Sequence, residues 1–157
     1  MIFRLATSVD IKQIIQNYES VKKSSFCVWN DTYPTIQDVN NDLSHNNLFV
    51  LEKSNKVIGS ISIVDENELD EFDCWSNSNA REFARVVINP KHQHLGYSKY
   101  LISNCLEEMK RRNYLNVHIS VAIKNIPAQK LYESLGFNKV GNASMWGNNY
   151  YLYERII

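Results

Sequence analysis

The chain has 157 residues, 44% apolar and 22% charged, an ordinary globular balance that excludes disordered and fibrous classes and points to a single domain over 1–157. Seventeen basic side chains offset seventeen acidic ones, so the broad positive footprint of a general nucleic-acid binder is missing. No apolar run nears the length of a membrane span, the amino terminus lacks a signal-peptide layout, and Cys27, Cys74 and Cys105 stand far apart with no Cys-x-x-Cys pair, which reads as a cytoplasmic protein without disulfides or a metal site.

Ile2–Ala6 reads as a short strand, after which Thr7 or Ser8 caps a helix whose buried stripe is Val9, Ile14, Ile15, Tyr18 and Val21. A loop carrying Phe26, Trp29 and Tyr33 closes at Pro34. Thr35, with Asp38 three residues on, opens a second helix with Ile36, Val39 and Leu43 facing inward. Leu48–Glu52 and Val57–Val64 form an antiparallel hairpin around Ser54-Asn55-Lys56, and Gly59 marks a bulge or a close backbone approach. From Asp65 to Ala80 the pattern dissolves into acids, asparagines and serines around Trp75, a long connection. Its Asp65, Glu66, Glu68, Asp70, Glu71 and Asp73 read as a solvated extension, with steering of a cationic ligand as the functional reading.

Arg81–Ile88 is a β-branched and aromatic strand that Pro90 cuts off. Ile88–Tyr100 is then a strand-to-helix turn in which Gly96 lets the backbone approach a ligand. The unpaired N–H groups of the following helix, whose apolar face is Ser98, Leu101, Ile102, Cys105 and Met109, suit a phosphate. Val117–Val121 is another strand, with His118 and Ser120 on one face. Asn125 and Pro127 open a last helix running through Ala128, Leu131 and Leu135 to Gly136. Phe137–Val140 and Tyr150–Ile156 close the chain as a hairpin around Ala143–Asn149, completing an α/β arrangement.

Two runs carry a family resemblance. Gln93-x-x-Gly96-x-Ser98, followed by Asn125-x-x-Ala128-x-x-Leu131-Tyr132-x-x-Leu135-Gly136-Phe137, resembles the paired signatures of the GNAT superfamily of N-acetyltransferases. The resemblance implies a mixed α+β fold with a twisted, splayed sheet of about seven strands and about four helices. It implies acetyl-coenzyme A as cofactor, entering a cleft between Arg81–Ile88 and Val117–Val121. It also implies that the backbone of Val86, Val87 and Ile88 pairs with the pantetheine arm, which Asn125 and Ala128 border. Gln93, His94, Leu95, Gly96, Tyr97 and Ser98 wrap the pyrophosphate on this reading, with Lys99 nearby. Ser98 stands where the family prefers Gly or Ala, and Leu95 where a cation is common. Weight therefore shifts to backbone N–H groups, Lys91 and Lys99.

Acetyl transfer to an amine of pKa about 10.4 needs a base more urgently than an acid. The resemblance makes Tyr132 the acid for the departing thiolate. Glu82, which strict alternation places on the face of Ala84, Val86 and Ile88, is the expected base. His118 and Ser120 are weaker candidates, and Cys105 reads as a core residue rather than a nucleophile. The loop between the first two helices and the last hairpin wall the acceptor site in the family, which here supplies Trp29, Tyr33, Trp146 and Tyr150. The expected activity is acetyl transfer to a primary amine, small molecule or peptide, by direct attack in a ternary complex. The protein is expected to act as monomer or homodimer, with neither nucleic acid nor membrane as partner. The alternative is a non-catalytic module that binds coenzyme A or acetyl-coenzyme A as a sensor or partner subunit.

Overall fold

The structure is a computed structural model that describes residues 1–65 and 68–157, so Glu66 of the acidic run lies outside the described residues. Strands β1 (Ile2–Leu5), β2 (Leu48–Lys53), β3 (Lys56–Val64), β4 (Ala80–Ile88), β5 (Asn116–Ala122), β6 (Asn138–Met145) and β7 (Asn148–Ile156) form one sheet in the order β1-β2-β3-β4-β5-β7-β6. Helices α1 (Ile11–Val21), α2 (Ile36–Ser44), α3 (Tyr97–Arg111) and α4 (Ile126–Ser134) cover it. All neighbouring strands are antiparallel except β4 and β5.

Two apolar cores lie on opposite faces. One gathers Phe83, Val86 and Ile88 of β4 with Leu101, Ile102, Cys105 and Met109 of α3, Tyr132 of α4, and Val117, Ile119 and Val121 of β5. The other packs Ile14 and Tyr18 of α1 and Val39 of α2 against Val50, Val57 and Val87. Along β3, Ile61 and Ile63 serve the first face and Ser60 and Ser62 the second, while a register slip opposite Leu51 and Glu52 reverses the parity upstream, so that Ile58 joins the first core and Val57 the second.

Local signals set the helix starts. The Asp10 carboxylate accepts from Thr7 N–H at 2.8 Å, and Asp38 accepts from Thr35 N–H at 2.6 Å, each acid satisfying a donor at a helix entry. Thr7 caps a 3-10 turn, Ser8–Asp10, that feeds α1, and this turn swings Val9 out to 80% exposure instead of into the stripe. Ile36, expected inward, is 41% exposed because first-turn position leaves it short of Val39 and its core. The closing hairpin is also longer than expected. Its strands run on to Met145 and from Asn148, leaving only Trp146-Gly147 as the turn, with φ of 49° and 76°. Two positive φ values in a two-residue loop match the twist of a hairpin, and Gly147 makes the second one inexpensive.

Gly59 is the close approach that its place in a strand suggested. A Cβ there would meet the Val87 carbonyl oxygen at 2.6 Å and Ile88 Cδ1 at 2.4 Å. Gly59→Ala is expected to lower stability by about 1–3 kcal/mol, read as a reduced urea midpoint at unchanged slope.

Candidate active site

The parallel seam between β4 and β5 pairs only at Ala80 with Asn116 and Arg81 with Val117. Beyond Arg81 the strands diverge, and the β4 edge facing β5 carries backbone groups without a strand partner. Such an edge is a template for any extended ligand with amides of its own. The floor of the cleft is aromatic: Tyr132 of α4 has its ring 5.9 Å from Phe83 and 5.7 Å from Phe137. Burial drives the Tyr132 hydroxyl pKa well above its ordinary value, so it stays a proton donor at neutral pH. Cys105, on the same face, is fully buried and its thiol is likewise pushed up by burial, which fits a core residue and not a nucleophile.

At the end of β4 the chain turns sharply into α3. Asn89 anchors this loop on three sides: its backbone donates to Ile58 O at 2.8 Å, its side chain donates to Asn17 Oδ1 at 2.9 Å, and its Oδ1 accepts from Lys91 N at 3.1 Å. Gln93 folds its side chain back to donate to Ile88 O at 3.0 Å, so it braces the loop. His94 and Gly96 take φ of 62° and 80°, conformations that turn successive N–H groups outward. The first N–H of α3 to find an acceptor is that of Tyr100, on Gly96 O at 3.1 Å. Among the described residues those from His94 to Lys99 have none. This 15-residue helix therefore presents a positive end lined by free donors. Lys53 adds a cation that sequence reasoning passed over, donating from β2 to the Tyr97 hydroxyl at 2.6 Å. Asn125 caps α4 by accepting from Ala128 N at 3.2 Å, which puts both residues at the mouth of the helix that carries Tyr132.

The opposite face of β4 corrects the reading of Glu82. Register slips between Ser60 opposite Val87 and Ser62 opposite Ala84, so β4 carries one extra residue there, and Arg85 within the slip has φ of 53°. A bulge shifts parity by one. Glu82 and Ala84 therefore lie on the face opposite Val86 and Ile88, alongside Ser62 and α2. The bulged Arg85 reaches into that face, donating to both Asp42 oxygens at 2.9 and 2.7 Å and to the Tyr33 hydroxyl at 3.1 Å. Asp42 also accepts from Ser62 Oγ at 2.6 Å. Neither Arg85 nor Asp42 was expected, although a lone charge inside an apolar strand and an acid on the inner face of a short helix were the available signals.

The predicted acceptor residues fall into two pairs. Trp29 and Tyr33 meet edge to face at 6.5 Å beside Arg85, with Tyr18 behind Trp29 at 5.5 Å. Trp146 and Tyr150 meet at 5.7 Å on the last hairpin. Trp146 also joins Glu68, Glu71, Ser144 and Met145 around an open recess of about 380 Å³. His118 is not poised as a base. It stacks on Trp75 at 3.9 Å, its Nε2 lies 3.1 Å from Asn77 Oδ1, and burial lowers its pKa against the pull of Glu154 and Asp70. With Ser76 donating its N–H to Glu154 at 2.9 Å, His118 fastens the connection after the acidic run to the sheet.

A sheet split between parallel strands, with an open strand edge leading to a donor-lined helix end, defines a protein built to hold an extended, phosphate-bearing ligand. The chain belongs to the acetyltransferase (GNAT) family, whose model matches residues 14–137. It is 26% identical over 117 residues to the spermidine N(1)-acetyltransferase of Vibrio cholerae, a match covering 71% of this chain and 62% of that enzyme's length. The chain thus spans less than two thirds of that relative. Its fold superimposes on the ribosomal-protein-alanine N-acetyltransferase of Brucella melitensis with TM-score 0.80 at 18% identity, covering 100% of both chains. It also superimposes on yncA of Salmonella typhimurium, solved with acetyl-CoA, with TM-score 0.79 at 20% identity, covering 99% of this chain and 93% of that one.

Breaking the buried pair from one side leaves an uncompensated charge, whereas removing both partners does not. Asp42→Asn is expected to cost about 3–5 kcal/mol in chemical denaturation, and Asp42→Leu combined with Arg85→Met to recover most of that loss.

Proposed function

We propose that this chain is an acetyl-coenzyme A-dependent N-acetyltransferase that acetylates a primary amine by direct attack in a ternary complex. The observation that carries the reading is the continuous path from the unpaired β4 edge beyond Arg81 to the free N–H groups of His94 to Lys99. The edge backbone at Val86, Val87 and Ile88 suits the amides of a pantetheine arm, and Asn125 and Ala128 stand at the far bank. The loop Gln93, His94, Leu95, Gly96, Tyr97 and Ser98 suits the pyrophosphate chiefly through main-chain donors, with Lys53, Lys91 and Lys99 as nearby cations. Family membership supports the same assignment.

When bound, the coenzyme supplies a thioester carbonyl as electrophile and a thiolate as leaving group. Glu82, on the acceptor face of β4, takes a proton from the ammonium so that the amine nitrogen can form the new C–N bond as the C–S bond breaks. Tyr132, kept protonated by burial, returns a proton to the sulfur. Trp29 and Tyr33 on one side and Trp146 and Tyr150 on the other supply aromatic faces for the acceptor.

Incubating the protein with acetyl-coenzyme A and a panel of amines should release free thiol. Coenzyme binding by calorimetry with no turnover on any amine would leave a non-catalytic binding module instead. Tyr132→Phe is expected to lower kcat by about a hundredfold while coenzyme affinity stays within about twofold, measured by thiol release and calorimetry. Glu82→Gln should depress kcat/KM most near pH 7, and the deficit should shrink as pH approaches the amine's own pKa of about 10.4, visible in a pH–rate profile.

A further inference from the structure

The Tyr33 hydroxyl is bound so that its proton points away from Arg85. The phenol oxygen accepts from an Arg85 guanidinium nitrogen at 3.1 Å. A guanidinium has donors and no acceptor, so the tyrosine proton must turn away from it. Arg85 itself cannot swing aside, because it is 8% exposed and makes two bonds to Asp42, which is 3% exposed. The guanidinium lies 6.0 Å from the ring centre and Trp29 meets the ring edge to face at 6.5 Å, two contacts that favour this orientation of a half-exposed ring. Hydrogen bonding from a cation polarises the phenol and strengthens it as a donor.

The hydroxyl also remains a neutral phenol. Burial raises its pKa, with Arg85 pulling the other way and the charges of Asp38 and Glu82 adding to the rise. Those two carboxylates act on it through their charge. Asp38 is occupied at the α2 cap, where it accepts from Thr35 N–H and from the Thr35 hydroxyl. The same face of β4 thus carries a carboxylate, Glu82, and, through Arg85, an O–H donor, Tyr33.

A plain polyamine in its ammonium form offers N–H donors and nothing that accepts, so it leaves the Tyr33 proton without a partner. A compound with a carbonyl next to its amine answers both groups at once. Building on the N-acetyltransferase reading, we propose that the Tyr33 hydroxyl, fixed by Arg85, is a specificity-determining donor that reads a carbonyl oxygen adjacent to the acceptor amine. The substrate class is then an α-amino carbonyl compound, an amino-acid amide or a peptide amino terminus, in preference to a polyamine. Arg85 and Asp42 act as positioning residues in this arrangement.

The test uses the whole protein, acetyl-coenzyme A and four acceptors: alaninamide, trialanine, 1,2-diaminopropane, which replaces the amide by an amine-bearing carbon, and spermidine. Thiol release should give kcat/KM at least about tenfold higher for alaninamide or trialanine than for either polyamine. The relative rates of alaninamide and trialanine distinguish a free small molecule from a peptide end, and either one supports the carbonyl requirement. Tyr33→Phe keeps the ring and its packing, and a thermal melt checks its fold. It should raise KM for the carbonyl-bearing acceptors about five- to tenfold, at least fivefold more than for the diamine, with kcat changed less. Equal losses on the amide and the diamine would make Tyr33 a packing residue and overturn the inference. So would a wild-type preference for spermidine or the diamine, although that result would leave the acetyltransferase reading standing. Coenzyme binding with silence on every amine would overturn that reading and this inference together.

Discussion

The buried pair between Arg85 and Asp42 is the contact on which the two halves of the candidate site depend. Two charges in a nearly dry interior are tolerable only when each saturates the other, and here a bidentate fork does so with Ser62 completing the carboxylate. The pair ties the middle of β4 to α2 at the residue where the strand bulges. A bulge there needs an anchor, because Arg85 sits at a positive φ that a side-chain-bearing residue does not adopt without help from its surroundings.

One extra residue in β4 has consequences on both faces. It lets Phe83, Val86 and Ile88 share the core that floors the cleft beside Tyr132, while Glu82, Ala84, Arg85 and Val87 look toward the first two helices. The coenzyme side of the proposed site is consequently apolar and aromatic, and the acceptor side polar and charged. The division matches what acetyl transfer asks of a protein: a low-dielectric setting that keeps a phenol protonated on one side, and a carboxylate within reach of an amine on the other.

The loop between β4 and α3 presents many main-chain donors and little charge of its own. Leu95 brings no charge to it, and the chain as a whole is neutral. The left-handed turns at His94 and Gly96, with the braces from Asn89 and Gln93, fan main-chain donors outward at the end of a long helix. Preset donors of this kind lose little freedom on binding, which is why such loops hold phosphates with few charged side chains.

Much of this was legible from the residues themselves. Hydrophobic period, turn residues and caps are local properties, so the first five strands, α3, α4 and the glycine loop fall close to where those patterns place them, with Leu101–Met109, Asn125–Leu135 and Pro90–Gly96 marking the last three. The order of two motifs likewise carries the family, which the match over 14–137 bears out. What the sequence could not determine is anything set by how strands meet. The parity of Glu82, the partner of Arg85, the direction of the Tyr33 proton, the stacking of His118 on Trp75 and the tight Trp146-Gly147 turn all follow from register and from contacts between residues far apart in the chain. A single inserted residue in a strand leaves no mark on local propensity yet reverses every side chain beyond it, so only the tertiary structure decides which face of the sheet each group serves.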